Sequence, residues 1–126
     1  MEPGDSMYPK TVVFVYGTLK RGLRNHCFLE GAAYLGRGRT CGRFALHPGP
    51  GYPFASRTLR LYPLEGEVYE VDSLILEKLD RLEEHPREYR REMLAVELEQ
   101  GQIVQAWTYL HPGPFHGTLE RGEWNG

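Results

Sequence analysis

Thr11–Arg24, TVVFVYGTLKRGLR, is the stretch from which the fold is read. Val12, Val13, Phe14 and Val15 form a continuous β-branched and aromatic run, the pattern of a strand buried on both faces. The run stops at Tyr16-Gly17-Thr18-Leu19. Gly17 is free to take backbone angles closed to other residues and lets another group approach the main chain. A buried strand that ends in a small open turn presents amide N–H groups, which bind carboxylates or oxyanions. Taken alone, these residues fit an ordinary strand and turn. A site requires convergent partners from elsewhere in the chain. Lys20, Arg21 and Arg24 cluster around Gly22 and read as a solvated loop, with an anion-attracting rim as the alternative.

The totals narrow the field. A chain of 126 residues forms one domain with one proper hydrophobic core. Gly 15 and Pro 9 are high for a helical bundle and fit a turn-rich β protein. The net charge of −2 gives no general pull toward nucleic acid or anionic membranes. No apolar run approaches the roughly 20 residues needed to span a bilayer. Met1–Lys10 is polar, holds two prolines and reads as a flexible N-terminal tail, not a signal segment. The expected location is cytoplasmic, with Cys27 and Cys41 as reduced thiols. These cysteines have no metal-type spacing, and His26 has no ligand partner nearby in sequence, so no metal is expected.

Outward from the first strand, Asn25 is placed to cap a short turn through His26–Leu29, closed by Gly31. Tyr34–Leu46 reads as one or two strands bent near Gly36–Gly42. His47–Pro53 reads as a rigid loop, with Tyr52 as an aromatic wall for a ligand or as turn packing. Leu64–Val71 reads as a strand. Asp72 then caps a helix from about Ser73 to Glu83, ended by Pro86, with Leu74, Ile75, Leu79 and Leu82 on its packed face. Tyr89–Leu98 and Ile103–Leu110 are strands joined by a turn at Glu99–Gln102. The remainder, from His111 to Trp124, reads as an irregular arm laid over the sheet. Several strands around one good helix give an α+β domain over residues 11–126, a curled, mostly antiparallel sheet or barrel.

A second chemical stretch is Leu79–Arg91, LDRLEEHPREYRR. Glu83 falls in the last helical turn, at the negative end of the helix dipole, which raises a carboxyl pKa. Leu79 and Leu82 add desolvation if Glu83 faces inward. A carboxyl tuned toward neutrality serves as general base and acid. The alternatives are a solvated helix-end acid, or Glu84 or His85 in the same role. Tyr89 and Arg91 share a strand face and either anchor a polar ligand, hold the acid, or form a surface pair.

Together, the ordered pair of patterns resembles the γ-glutamylcyclotransferase-like (AIG2-like) family, closest to its γ-glutamylamine cyclotransferase branch. The patterns are Tyr16-Gly17-Thr18-Leu19 after an apolar strand, then Leu79-Asp80-Arg81-Leu82-Glu83 with Pro86, Tyr89 and Arg91. Gly51-Tyr52-Pro53 and Gly122-Glu123-Trp124 are similar to further family landmarks. The resemblance covers nearly the whole chain from Val12. It implies a mixed barrel with a flanking helix, no metal and no organic cofactor. It implies that Tyr16, Gly17, Thr18 and Leu19 cradle the glutamyl end of a small substrate, with Tyr52, Tyr89 and Arg91 also binding, and that Glu83 is the general acid/base. The implied reaction is attack of the substrate's α-amine on its own γ-carbonyl, releasing 5-oxoproline and a free amine or amino acid. The family often has Gly after the catalytic Glu, where this chain has Glu84.

Two rival classes follow from the same residues. One is a non-catalytic module binding a γ-glutamyl group or small anion, whose hallmark is loss of the acid at position 83; the acid is present. The other is a barrel that binds nucleic acid through Arg37, Arg39, Arg43 and the basic turn after Leu19. These arginines lack regularly interleaved aromatics, and the chain is net acidic, so no nucleic-acid partner is expected. The oligomeric state is not read from the sequence.

Overall fold

A computed structural model describes residues 9–126. The tail assigned to residues 1–10 lies outside the described residues except at its end, where Lys10 already belongs to the first strand. That strand, β1 (Lys10–Val15), is followed by a single 3-10 turn at His26–Leu29, then β2 (Ala33–Thr40), β3 (Ala45–Pro48), β4 (Pro53–Ser56) and β5 (Glu65–Asp72). Helix α1 (Ser73–Leu82) leads to β6 (Arg90–Leu98) and β7 (Ile103–Leu110). No helix among the described residues is long and apolar enough to cross a membrane.

Five strands close a barrel in the order β1-β5-β2-β6-β7. Closure removes the unpaired edges that an open sheet would leave. The β1–β7 contact is parallel, at Val13↔Trp107, and the other four pairings are antiparallel. The expected α+β class with a curled, mostly antiparallel sheet is therefore realised as a closed mixed barrel.

β1 is buried on both faces, as its unbroken apolar run predicts. Phe14 joins the cluster of Val68, Val96, Ala106 and Leu110, drawn from the barrel strands. Val13 and Val15 join the opposite cluster, with Val71, Ile75 and Leu79, under α1. Asp72 caps α1 by accepting the Ile75 N–H at 2.9 Å. The packed face of α1 is narrower than its apolar spacing predicts: Ile75 and Leu79 are buried, whereas Leu74 is exposed.

The Pro- and Gly-rich stretch from His47 is a hairpin and not simply a loop. β3 and β4 pair from Ala45↔Ser56 to Pro48↔Pro53. His47 lies buried within it, bridging Ser56 Oγ at 2.7 Å and the Gly117 carbonyl at 2.8 Å. The terminal arm crosses this hairpin, with Leu119 N donating to Leu46 O at 2.8 Å and Tyr62 Oη donating to Leu119 O at 2.7 Å.

Candidate active site

The turn Tyr16–Leu19 leaves β1 and folds back on itself. Lys20 N donates to Gly17 O at 3.1 Å and Asn25 N to Thr18 O at 3.0 Å. The Asn25 side chain, expected to cap the following 3-10 turn, makes no cap bond and instead donates to Thr18 Oγ1 at 2.8 Å. These contacts occupy carbonyls and a hydroxyl. Among the described residues, the amides of Gly17, Thr18 and Leu19 have no protein acceptor. Gly17 is required for closeness and not for an unusual φ. It is absent from the positive-φ residues, and a Cβ there would lie 3.3 Å from the Pro53 ring.

Tyr16 points the other way and fastens the turn to two strands. Its hydroxyl donates to Tyr109 O at 2.6 Å and accepts from Ala55 N at 3.3 Å. Lys20 departs from the solvated-loop reading: it is buried, and Nζ donates to the Trp124 carbonyl. Burial lowers its pKa, opposed chiefly by the Glu123 carboxylate.

Opposite the turn, α1 delivers Glu83 at its C-cap. Glu83 N donates to Leu79 O at 2.9 Å and Glu83 O accepts from Tyr89 N at 3.2 Å, so its backbone is held from both sides. The helix has ended before Pro86; the chain turns instead at Glu84, whose φ is 52°. This is the left-handed region where a side chain is costly and glycine is not. Glu84→Gly is therefore expected to stabilise the fold by about 1 kcal/mol, because the exposed Glu84–Arg87 pair it removes contributes little. A thermal melt showing equal or lower stability would contradict this.

Turn and helix end meet in one cavity of about 400 Å³, in the range of small-molecule sites. Its wall includes Tyr16, Gly17, Thr18, Leu19, Tyr52, Glu83 and Tyr89, all singled out from the sequence. Burial pushes the Glu83 carboxyl up to about 7. Tyr16, Tyr89 and Tyr109 also have raised pKa values, first from burial; Glu83 adds to this at Tyr16, Tyr16 and then Glu83 at Tyr89, and chiefly the Asp80 carboxylate at Tyr109. Each hydroxyl stays protonated and keeps a fixed acceptor.

Arg91 does not join them. Its guanidinium grips Asp80 through Nε at 2.8 Å and Nη2 at 3.2 Å, and stacks 4.4 Å from the Trp107 ring centroid. Asp80 Oδ1 also accepts from Tyr109 Oη at 2.6 Å. Arg91 thus acts on the cavity through Asp80 and Tyr109. Arg91→Lys loses the two-pronged geometry and is expected to cost about 1–2 kcal/mol of stability, with KM for a substrate little changed. A KM rise without a fall in melting temperature would place Arg91 against the ligand instead.

Tyr109 was missed by sequence reasoning, yet a signal existed. The Glu99–Gln102 turn sets the β6–β7 register, which puts Tyr109 directly across from Arg91. Of the residues considered for nucleic acid, Arg37, Arg39 and Arg43 lie away from this cavity, whereas Arg24 of the basic turn lines it. Arg37 pairs with Glu123 at 3.0 Å, Arg43 donates to Leu61 O at 3.0 Å, and Arg39 lies among Glu65, Glu97 and Glu99.

The sequence profile described as "Gamma-glutamyl cyclotransferase, AIG2-like" matches residues 13–126. The chain belongs to this family. A Methanocaldococcus jannaschii protein, named "Putative gamma-glutamylcyclotransferase", is 34% identical over 113 residues, spanning 89% of this chain and 93% of its own. Human γ-glutamylaminecyclotransferase is 42% identical over 97 residues, spanning 69% of this chain and 62% of its own. The crystal structure of a mouse AIG2-like protein superposes with a TM-score of 0.76 at 33% identity, covering 88% of each chain. The family membership and the barrel fold expected from the two ordered patterns both hold.

Proposed function

We propose that this chain cyclises the γ-glutamyl group of a small substrate, releasing 5-oxoproline and a free amine or amino acid. The observation that carries the proposal is Glu83: a carboxyl poised near neutrality, in the same cavity as three turn amides without a protein acceptor among the described residues.

The nucleophile is tethered to its own electrophile, so the protein need only fold the glutamyl arm. The amides of Gly17–Leu19, with the phenols of Tyr16 and Tyr89 behind them, form the wall against which the arm curls. The substrate α-amine, with a pKa of about 8, arrives protonated. Glu83 takes one proton, and the freed amine attacks the γ-carbonyl carbon, its nitrogen shedding a second proton to solvent as the new C–N bond forms. The carbonyl π electrons move to oxygen, and amides of the turn stabilise that oxyanion. Glu83 then gives its proton to the leaving nitrogen as the original amide C–N bond breaks and the carbonyl re-forms. One carboxyl with a pKa near the working pH serves both transfers.

The test is a screen of purified protein against γ-glutamyl amino acids and γ-glutamyl alkylamides, reading 5-oxoproline. Product from at least one member is expected. Binding without product from any of them would favour the non-catalytic module.

A further inference from the structure

The charges lining the cavity do not balance. Besides Glu83, the wall carries Glu84, Glu88 and, among the described residues, one cationic side chain, Arg24. Both additional carboxylates have partners. Glu84 Oε1 lies 3.7 Å from Arg87 Nη2. Glu88 Oε1 lies 3.0 Å from His111 Nε2. His111 Nδ1 accepts the Gly113 N–H at 3.0 Å, which leaves the proton on Nε2 and makes that nitrogen the donor to Glu88.

Arg24 has no carboxylate within 4.0 Å among the described residues. It is nevertheless held in place. Its guanidinium carbon lies 5.8 Å from the Tyr52 ring centroid. Its Nη1 covers Gly51, where an added Cβ would come within 3.2 Å. An aromatic face and a bare backbone position a planar cation here without neutralising it. A guanidinium so placed matches a carboxylate through two parallel N–H···O bonds.

Arg24 is exposed, on the loop beyond the turn, and it shares the rim with Tyr52 of the β3–β4 hairpin. The glutamyl arm takes the turn amides, and the departing nitrogen must point away from them to open solvent. We infer that Arg24 binds a carboxylate on the leaving-group side of the substrate, so that the amine released is an amino acid. This inference rests on the cyclotransferase reading and narrows its substrate class.

Two ligands test it, γ-glutamylglycine and γ-glutamylmethylamide, which differ by one carboxylate. Binding is measured by calorimetry at low salt on the Glu83→Gln variant, where chemistry is suppressed. The glycine conjugate is expected to bind about fivefold tighter, the scale of one rim ion pair. Arg24→Gln should collapse that ratio toward one, Arg24→Lys should retain part of it, and added salt should narrow it. A ratio near one before Arg24 is changed, or a ratio indifferent to Arg24→Gln, overturns the inference. So does an equal weakening of both ligands by Arg24→Gln, which would put Arg24 on the glutamyl α-carboxylate, and so does no binding of the glycine conjugate. Cyclisation is read separately on the parent protein. An Arg24-dependent ratio without 5-oxoproline would keep the carboxylate subsite and sink the cyclotransferase reading. 5-Oxoproline without that ratio would do the reverse.

Discussion

Glu83→Gln is expected to lower kcat/KM for 5-oxoproline release by about a thousandfold, within the range of a general acid–base group, while the protein melts at the same or a higher temperature near pH 8. The amide keeps the shape of the side chain but cannot take up and release a proton in the working pH range. It also removes a carboxylate from a cavity that disfavours the charged form, since burial raises the Glu83 pKa to about 7. The pH profile follows. The base form accumulates above about 7, so kcat/KM of the parent protein should climb through that pH and level off. Stability moves the other way. The folded pKa lies above the ordinary 4.5, so the folded state binds this proton more tightly than the unfolded state. Its contribution is fully present below about 4.5 and is lost as pH rises through about 7. Glu83→Gln should flatten that loss. Glu84→Gln is the control: if it abolishes turnover while Glu83→Gln does not, the base stands one residue further along.

The second large effect is steric. Gly66→Ala places a Cβ 2.1 Å from Val15 O and 3.0 Å from Phe14 Cζ. The first contact is with backbone, which has no rotamer by which to withdraw. β1 and β5 must separate where Phe14↔Val68 and Val15↔Glu67 pair, immediately before the turn. A destabilisation of about 3 kcal/mol or more is expected, at the upper end of overpacking effects, with a fall in melting temperature on the order of 10 °C. Residual folded protein should turn over slowly, because Tyr16 moves with Val15. Gly38→Ala is the informative comparison. Its Cβ comes nearest the side-chain methyls of Val96 at 2.8 Å and Val68 at 2.9 Å, which can yield. A melting temperature for Gly66→Ala at or above that of Gly38→Ala would contradict the account.

Much of this was legible wherever local pattern and tertiary environment coincide. The run Val12–Val15 is apolar at every position because a barrel strand under a helix has no solvent face. Asp72 and the Ile75/Leu79 spacing marked the helix, and the helix length carried Glu83 to the cavity. Reading failed where the deciding contact is remote. Lys20 resembles any loop lysine until the Trp124 carbonyl, 104 residues on, is brought to its Nζ. Arg91 is ambiguous until Asp80, 11 residues earlier on another element, claims its guanidinium. His47–Pro53 carries turn residues because its centre is a turn, and their density conceals the short paired strands on either side. Leu74 shows the converse error, an apolar residue at helical spacing that stays exposed.

The double burial of β1 also bears on how such a chain can change over time. Val13, Phe14 and Val15 are consecutive, yet Phe14 answers to Val68 and Val96 while its two neighbours answer to Val71 and Leu79. A volume change at Phe14 can be accommodated only from the barrel side, and one at Val13 or Val15 only from the helix side. Adjacent codons therefore belong to separate compensating sets, and each set can drift without consulting the other. The turn at Tyr16–Leu19 is anchored where the two sets meet, which leaves it insulated from repacking on either side alone.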